Sequence, residues 1–236
     1  MPSCGAISPP ASLRTSLLDG IPHRVEVPFR DRAPAPRWLL TVAAVTAVLT
    51  VLAIVTIDQP LARWTAAYEP FAIWDRILTV LEWGLGLPLI PWTSGIALVV
   101  VMIICVIVPR RRHHAPIWMF LAASHILGRI AMVELKDLTG RLRPHEWLKQ
   151  GGDDTFGWAR GISFPSGHVV LFASIIIPVI VLVPRTWPLL GVVAFAMIAR
   201  LIADAHYVSD VIGAITLVTL VTWICGQAIR PLPARG

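Results

Sequence analysis

Three short groups of polar residues stand at the ends of strongly apolar segments, and their side chains suit the binding of a phosphate. The groups, called here the three strings, are Lys136 with Arg143-Pro144, then Pro165-Ser166-Gly167-His168, then Arg200 with His206 and Asp210. Lysine supplies a point charge and arginine a planar fork of donors, and both match phosphate oxygens. Charge beside membrane-like sequence is costly and tends to serve function. We therefore expect the three strings to form one site.

The second string stands where an apolar helix is expected to begin. Gly167 lets the backbone approach a ligand closely, and the unpaired amides of a first helical turn attract an anion. His168 lies in that first turn, where it can give a proton to a leaving oxygen. Ser166 also suits a purely structural N-cap, and a histidine at this position can be a plain interfacial residue.

In the third string, His206 precedes an expected helix and Asp210 follows four residues later. Residues at this spacing share a helix face, so Asp210 can orient the imidazole and stabilise its charged form. The alternative is a His–Asp capping pair without chemistry.

The composition is that of a membrane protein. Of 236 residues, 56% are hydrophobic and only 14% are charged, whereas soluble domains carry about a quarter charged residues. A helix of about 20 apolar residues crosses the hydrocarbon layer. The expected fold is all-α, a polytopic bundle of six transmembrane helices. The expected spans are residues 38–57, 91–108, 116–135, 168–184, 187–203 and 209–226.

The positive charges indicate the orientation of these spans. The net charge is +6, and the cations gather in the N-terminal tail, in residues 110–114 and at the C-terminus. The positive-inside rule places all three regions in the cytoplasm and the three strings at the outer face. The expected organisation is a basic, Pro-rich tail at 1–37, a transmembrane domain at 38–226 and a C-terminal tail at 227–236. Because the cations form no single patch, nucleic acid is not an expected partner.

The segment between the first two spans is rich in aromatic residues. Residues 71–83 are expected to form a helix in the membrane interface, with aromatic rings at headgroup depth. Trp74 and Trp83 are then either part of an aromatic belt or a ledge that guides a lipid headgroup.

Taken together, the three strings resemble the type 2 phosphatidic acid phosphatase (PAP2) superfamily, membrane lipid-phosphate phosphatases related in fold to vanadium haloperoxidases. That family's pattern is K-x6-RP, PSGH and SR-x5-H-x3-D. This chain matches it at Lys136 to Pro144, Pro165 to His168 and Arg200 to Asp210. The resemblance covers about residues 116–226. One position departs from it, because Ala199 stands where the family has serine, which removes a hydroxyl but no charge.

The resemblance implies a role for each matched residue. Lys136, Arg143 and Arg200 bind the phosphoryl oxygens, with further hydrogen bonds from Ser166 and the Gly167 amide. His206, oriented by Asp210, attacks phosphorus to form a phosphohistidine, and His168 protonates the leaving lipid oxygen. The resemblance implies no cofactor and no metal, because the three cations offset the charge of the transition state.

The expected protein is therefore a phosphatase acting on a membrane lipid phosphate at the outer face of a bacterial inner membrane, with both termini in the cytoplasm. A polyprenyl diphosphate of the undecaprenyl type is the first-ranked substrate, because such a carrier is left at the outer face. Phosphatidic acid or phosphatidylglycerol phosphate phosphatase, lipid phosphotransferase and a non-catalytic binder or translocator stay open as alternatives.

Arg129 is a charge that the family pattern does not explain. It lies about 10 Å deeper than Lys136 along the third span, at 1.5 Å per helical residue. It is either part of a structural ion pair, with Glu134 or Asp204 as partners, or a second cation that holds a pyrophosphate.

Overall fold

The computed structural model describes residues 35–67, 72–84, 92–152 and 159–229. The expected tails, 1–37 and 227–236, lie almost wholly outside these ranges. The described part is helical. Its α-helices are α1 (Trp38–Thr56), α2 (Asp58–Thr65), α3 (Ala72–Gly84), α4 (Thr93–Ile107), α5 (Ala115–Thr139), α6 (Pro144–Lys149), α7 (Gly167–Leu182), α8 (Leu190–Ile202) and α9 (Val208–Ala228).

The prediction of an all-α membrane protein is confirmed, and helices occupy all six of the expected apolar segments. By length and composition, four helical segments among the described residues can cross a membrane. They are α1, α5 with the preceding 3₁₀ turn (Pro109–Thr139), α8 with the preceding 3₁₀ turn (Pro184–Ile202) and α9. The helices α4 and α7 are apolar but have only 15 and 16 residues. Whether these two cross the membrane stays a prediction.

The buried centre of the bundle is α7, which packs against α5, α8 and α9, while α1 packs along α9. Val169, Val170 and Ala173 of α7 have no exposed surface. Apolar side chains of α1 such as Val48, Val51 and Val55 are exposed instead, as expected for a helix that faces lipid. Helices in lipid associate through close packing of small residues rather than through the hydrophobic effect.

Two loops meet at one end of this bundle because glycines allow their backbones to touch. The helix α5 ends at Gly140, whose φ of 55° is left-handed, as glycine permits. The Gly161 amide donates to the Gly140 carbonyl (2.9 Å), and the Ser163 amide donates to the Arg141 carbonyl (2.8 Å). A β-carbon at Gly161 would lie 2.2 Å from the Arg141 carbonyl oxygen. This pairing brings the second string beside the first.

The third string joins the other two through α9. The Ser166 amide donates to the Asp210 backbone carbonyl at 3.1 Å. Further along α9, a β-carbon at Gly213 would lie 2.5 Å from the Phe164 ring. Phe164 and Ser166, just before α7, therefore lie directly on the first turns of α9.

A test of this contact is the substitution Gly213→Ala. The added methyl group forces Phe164 to move, and overpacking of this kind costs roughly 1–3 kcal/mol. The matched control is Gly191→Ala in α8, where a β-carbon meets no atom within 4 Å. Both variants gain similar helix propensity, so the difference between them isolates the Phe164 contact. We expect Gly213→Ala to have the lower Tm in thermal unfolding of the detergent-solubilised protein. Equal Tm values would show that Phe164 does not hold α9.

Candidate active site

The structure brings the predicted site residues of all three strings together at one end of the bundle. Lys136, in the last turn of α5, lies near Arg143, Arg200 and Asp210. Its Nζ donates to the Ile162 carbonyl and lies 3.4 Å from that of Ser163. The Lys136 side chain also borders Gly167, since a β-carbon there would lie 3.9 Å from Lys136 Cε.

Ser166 occupies the N-cap position of α7, but its side chain makes no capping hydrogen bond. Its Oγ is buried and has no hydrogen-bond partner among the described residues. A buried hydroxyl without a partner costs free energy, roughly 1–3 kcal/mol. The purely structural reading of Ser166 is therefore disfavoured, and the hydroxyl is suited to bind a ligand oxygen. Arg143 Nε is likewise buried without a partner in the described part of the chain.

His206 lies in the turn between α8 and α9, and its ring is held by Asp210. The Nδ1 atom lies 3.3 Å from Asp210 Oδ2, and both side chains are almost completely buried. The same carboxylate oxygen accepts the Tyr207 amide (3.0 Å) and the Ser163 hydroxyl (2.5 Å). Burial lowers the pKa of His206 to about 4, although Asp210 opposes this shift. At neutral pH the imidazole is uncharged, and with Nδ1 facing Asp210 the lone pair lies on Nε2.

His168 is the second residue of α7 and is the more exposed of the two histidines. Its Nε2 pairs with Oε1 of Glu82, and the two side chains are 30% and 23% exposed. Glu82 comes from α3, the helix that the sequence predicted at residues 71–83.

One region of the chain, residues 117–232, matches the family described as the PAP2 superfamily. This chain belongs to the PAP2 superfamily. No curated protein and no solved structure matches it. PAP2 proteins are generally phosphatases of phosphate esters, so the family and the gathered cations indicate the same chemistry. The PAP2 region begins in α5 and contains all three strings. Glu82 lies outside it.

A buried arginine within the PAP2 region was not predicted from the sequence. The Arg141 side chain is 1% exposed and bridges two carboxylates, Asp58 Oδ2 at 2.7 Å and Asp210 Oδ1. It also donates to Ser209 Oγ at 2.6 Å, and its guanidinium lies over the Tyr207 ring. A buried charge is stable only when it is paired and hydrogen-bonded. Arg141 therefore holds the carboxylate that holds His206.

Asp58 was missed as well, and it comes from α2, before the PAP2 region. It accepts the Ser209 amide at 3.0 Å and also pairs with the Ser209 hydroxyl. The sequence signal for Arg141 was its position between two cations predicted to bind phosphate, in a chain with few charges. The partnership with Asp58 joins residues 83 positions apart and has no local pattern.

Arg129 lies over the ring of Trp92, with Cζ 4.7 Å from the ring centroid. Arg129 lies near His125, while Arg143 and Arg200 lie near Lys136. Asp204, one suggested partner, instead accepts from Thr65 Oγ1 at 3.1 Å. These contacts favour a structural role for Arg129 in the packing of α5 against α4 over a pyrophosphate site.

The buried carboxylate pair provides the first test of this site. Asp58→Asn keeps the shape but removes one of the two charges that hold Arg141. We expect kcat to fall roughly tenfold or more with KM little changed, because the His206–Asp210 geometry loosens while the phosphate contacts stay. The matched control is Asp137→Asn, an exposed carboxylate in the last turn of α5. A rise in KM alone would contradict a role through His206.

A second test uses pH. Below its pKa, His206 is protonated and has no lone pair for attack, so kcat/KM should fall on the acid side with an apparent pKa near 4. In the unfolded chain the ordinary value is 6.5, so the native state loses stability as pH falls from 6.5 towards 4. The measurement is kcat/KM against pH, beside a titration of the substrate phosphate, which ionises near 6. If kcat/KM instead falls with an apparent pKa of 6.5 that does not come from the substrate, His206 is not buried as described.

Proposed function

We propose that this PAP2 protein removes phosphate from a membrane lipid through a phosphohistidine on His206. The observation that carries the proposal is the pairing of His206 with Asp210 beside Lys136 and Arg200. A buried, uncharged imidazole next to two cations is suited to attack a phosphate whose negative charge those cations offset. A site for binding alone needs no such nucleophile.

In the proposed reaction, His206 Nε2 bonds to phosphorus while the bond to the lipid oxygen breaks. His168 gives its proton to that oxygen, and the lipid leaves as an alcohol or, from a diphosphate, as a monophosphate. Water then attacks the phosphohistidine, gives its proton to His168, and frees inorganic phosphate. Lys136, Arg143 and Arg200 hold the phosphoryl oxygens, while Ser166 Oγ and the Gly167 amide donate to them. The residues need neither a metal nor a cofactor for these steps.

We further propose that all six apolar helices cross a bacterial inner membrane, in a bundle like that of the haloperoxidase-related phosphatases. The short helices α4 and α7 would complete an even number of spans, which leaves both termini in the cytoplasm. The basic turn at Pro109–His114 supports this orientation. In this proposed orientation, the N-terminus of α7 and the C-terminus of α5 lie at the outer face.

At this face, α3 presents apolar side chains beside the site. Ile73, Ile77, Val80 and Trp83 are exposed on one side of the helix. Trp74 differs from Trp83, because it stacks on Phe195 of α8 at a centroid distance of 5.4 Å. Only Trp83 therefore suits the proposed contact with lipid. An apolar surface next to the phosphate site favours a long-chain substrate, and a polyprenyl diphosphate at the outer face is our first choice.

The test is phosphate release by the purified protein from a polyprenyl diphosphate, phosphatidic acid and phosphatidylglycerol phosphate in mixed micelles. We expect the diphosphate to give the highest kcat/KM, and His206→Ala to lose at least a thousandfold in kcat while its Tm is kept. EDTA should leave the rate unchanged.

Three results would contradict parts of the proposal. Inhibition by EDTA that Mg²⁺ reverses would contradict the metal-free reaction. Transfer of phosphate to an added alcohol in preference to water would indicate a phosphotransferase. Release from no lipid, with lipid phosphate still bound, would indicate a binder or translocator.

A further inference from the structure

The helix α3 is held against the bundle next to the site, although it precedes the PAP2 region. Trp74 stacks on Phe195, and Leu78 is 2% exposed within the main apolar core. Leu81, half-buried, packs against the same core. The face of α3 that carries these residues is therefore fixed to α8, and Glu82 follows at the end of this contact.

Glu82 brings a carboxylate from α3 to the cluster of cations. Its Oε1 pairs with Nε2 of His168, and its charge also lies near Arg200. The hydrogen bond from His168 holds the pKa of Glu82 below its ordinary value, against the opposing effect of partial burial. Glu82 is therefore a carboxylate at neutral pH.

We propose that Glu82 is a positioning residue for His168, the proton donor of the proposed function on which this inference rests. The carboxylate holds Nε2, fixes the ring orientation and leaves Nδ1 to exchange the proton with the leaving oxygen. Arg200 of α8 lies near Glu82, and the Lys136 side chain of α5 borders Gly167, the residue before His168. Both are cations, so Glu82 brings a carboxylate to His168 among cations and is suited to hold the ring through Nε2.

Each of the two histidines of the site is then held by one carboxylate, but the two pairs differ in exposure. Asp210 holds His206 in a pair that is 3% and 0% exposed, whereas Glu82 holds His168 in a pair that is 30% and 23% exposed. A nucleophile benefits from exclusion of water. A proton donor must regain its proton in every cycle, and its partial exposure permits this exchange.

The test uses the leaving group. An alkyl phosphate such as phosphatidic acid releases an alkoxide that needs a proton, whereas 4-nitrophenyl phosphate releases a stable phenolate that does not. General acid catalysis contributes roughly 10²–10⁴-fold. We expect Glu82→Gln to lower kcat on phosphatidic acid by roughly 30-fold or more, with KM little changed, and to lower it on the aryl phosphate by less than about threefold. His168→Ala should show the same selectivity to a larger degree.

The matched control is Glu134→Gln, an exposed glutamate of α5, which should change neither rate. Equal losses of Glu82→Gln on both substrates would show a merely structural role. A gain in activity, or tighter inhibition by inorganic phosphate without loss of rate, would show that Glu82 competes with phosphate instead.

A second measurement is independent of turnover. In protein labelled with ¹⁵N-histidine, the two ring nitrogens of His168, assigned with His168→Ala, report the tautomer and charge of the ring. Glu82→Gln should shift these signals, and Glu134→Gln should not. Unshifted signals would overturn the positioning role even if the lipid phosphatase activity holds. If Glu82→Gln shifts the His168 signals but phosphate release does not depend on His206, the proposed reaction is overturned and the Glu82–His168 contact still holds.

Discussion

The guanidinium of Arg141 is the interaction on which the rest of the site depends. It lies between Asp58 and Asp210 with almost no exposure, and through Asp210 it reaches His206. Removal of Arg141 would leave two buried carboxylates without their cation, which is far more costly than loss of an exposed ion pair. The arrangement joins α2, the loop after α5 and the first turn of α9. It therefore links α2 to the predicted catalytic histidine, and it couples the stability of this end of the bundle to the proposed chemistry.

Around Arg141 and its two carboxylates, the site has a buried side and a partly exposed side. His206 and Asp210 lie on the buried side, where burial keeps the imidazole uncharged. His168 and Glu82 lie on the partly exposed side, next to the exposed apolar face of α3. Arg200, near the end of α8, lies near both His206 and Glu82. In the proposed reaction, a bound phosphate has an attacking nitrogen held by one carboxylate and a proton donor held by another.

Much of the fold could be predicted because membrane helices obey simple rules. Apolar runs of sufficient length identified all the long helices, and Gly140 ended α5 because a left-handed residue cannot continue a helix. The helix at 71–83 was predicted too. The pattern could not separate Trp74 from Trp83, because both are aromatic and only packing against Phe195 decides which one is covered. The sequence pattern also did not show that the Ser166 hydroxyl makes no N-capping hydrogen bond, since a serine there suits both helix capping and ligand binding.

By itself, the sequence determined the chemistry that this protein can offer. Cations, a serine at a helix start, and a histidine four residues before a carboxylate are local patterns, and their partners lie within a few residues. The tertiary structure decided which charges support that chemistry. Asp58 meets Arg141 across 83 positions, and Glu82 meets His168 from a helix outside the family region. Such pairs depend on how helices pack. A side chain reaches only a few ångströms, so two residues far apart in sequence can pair only when the fold brings their backbones close together.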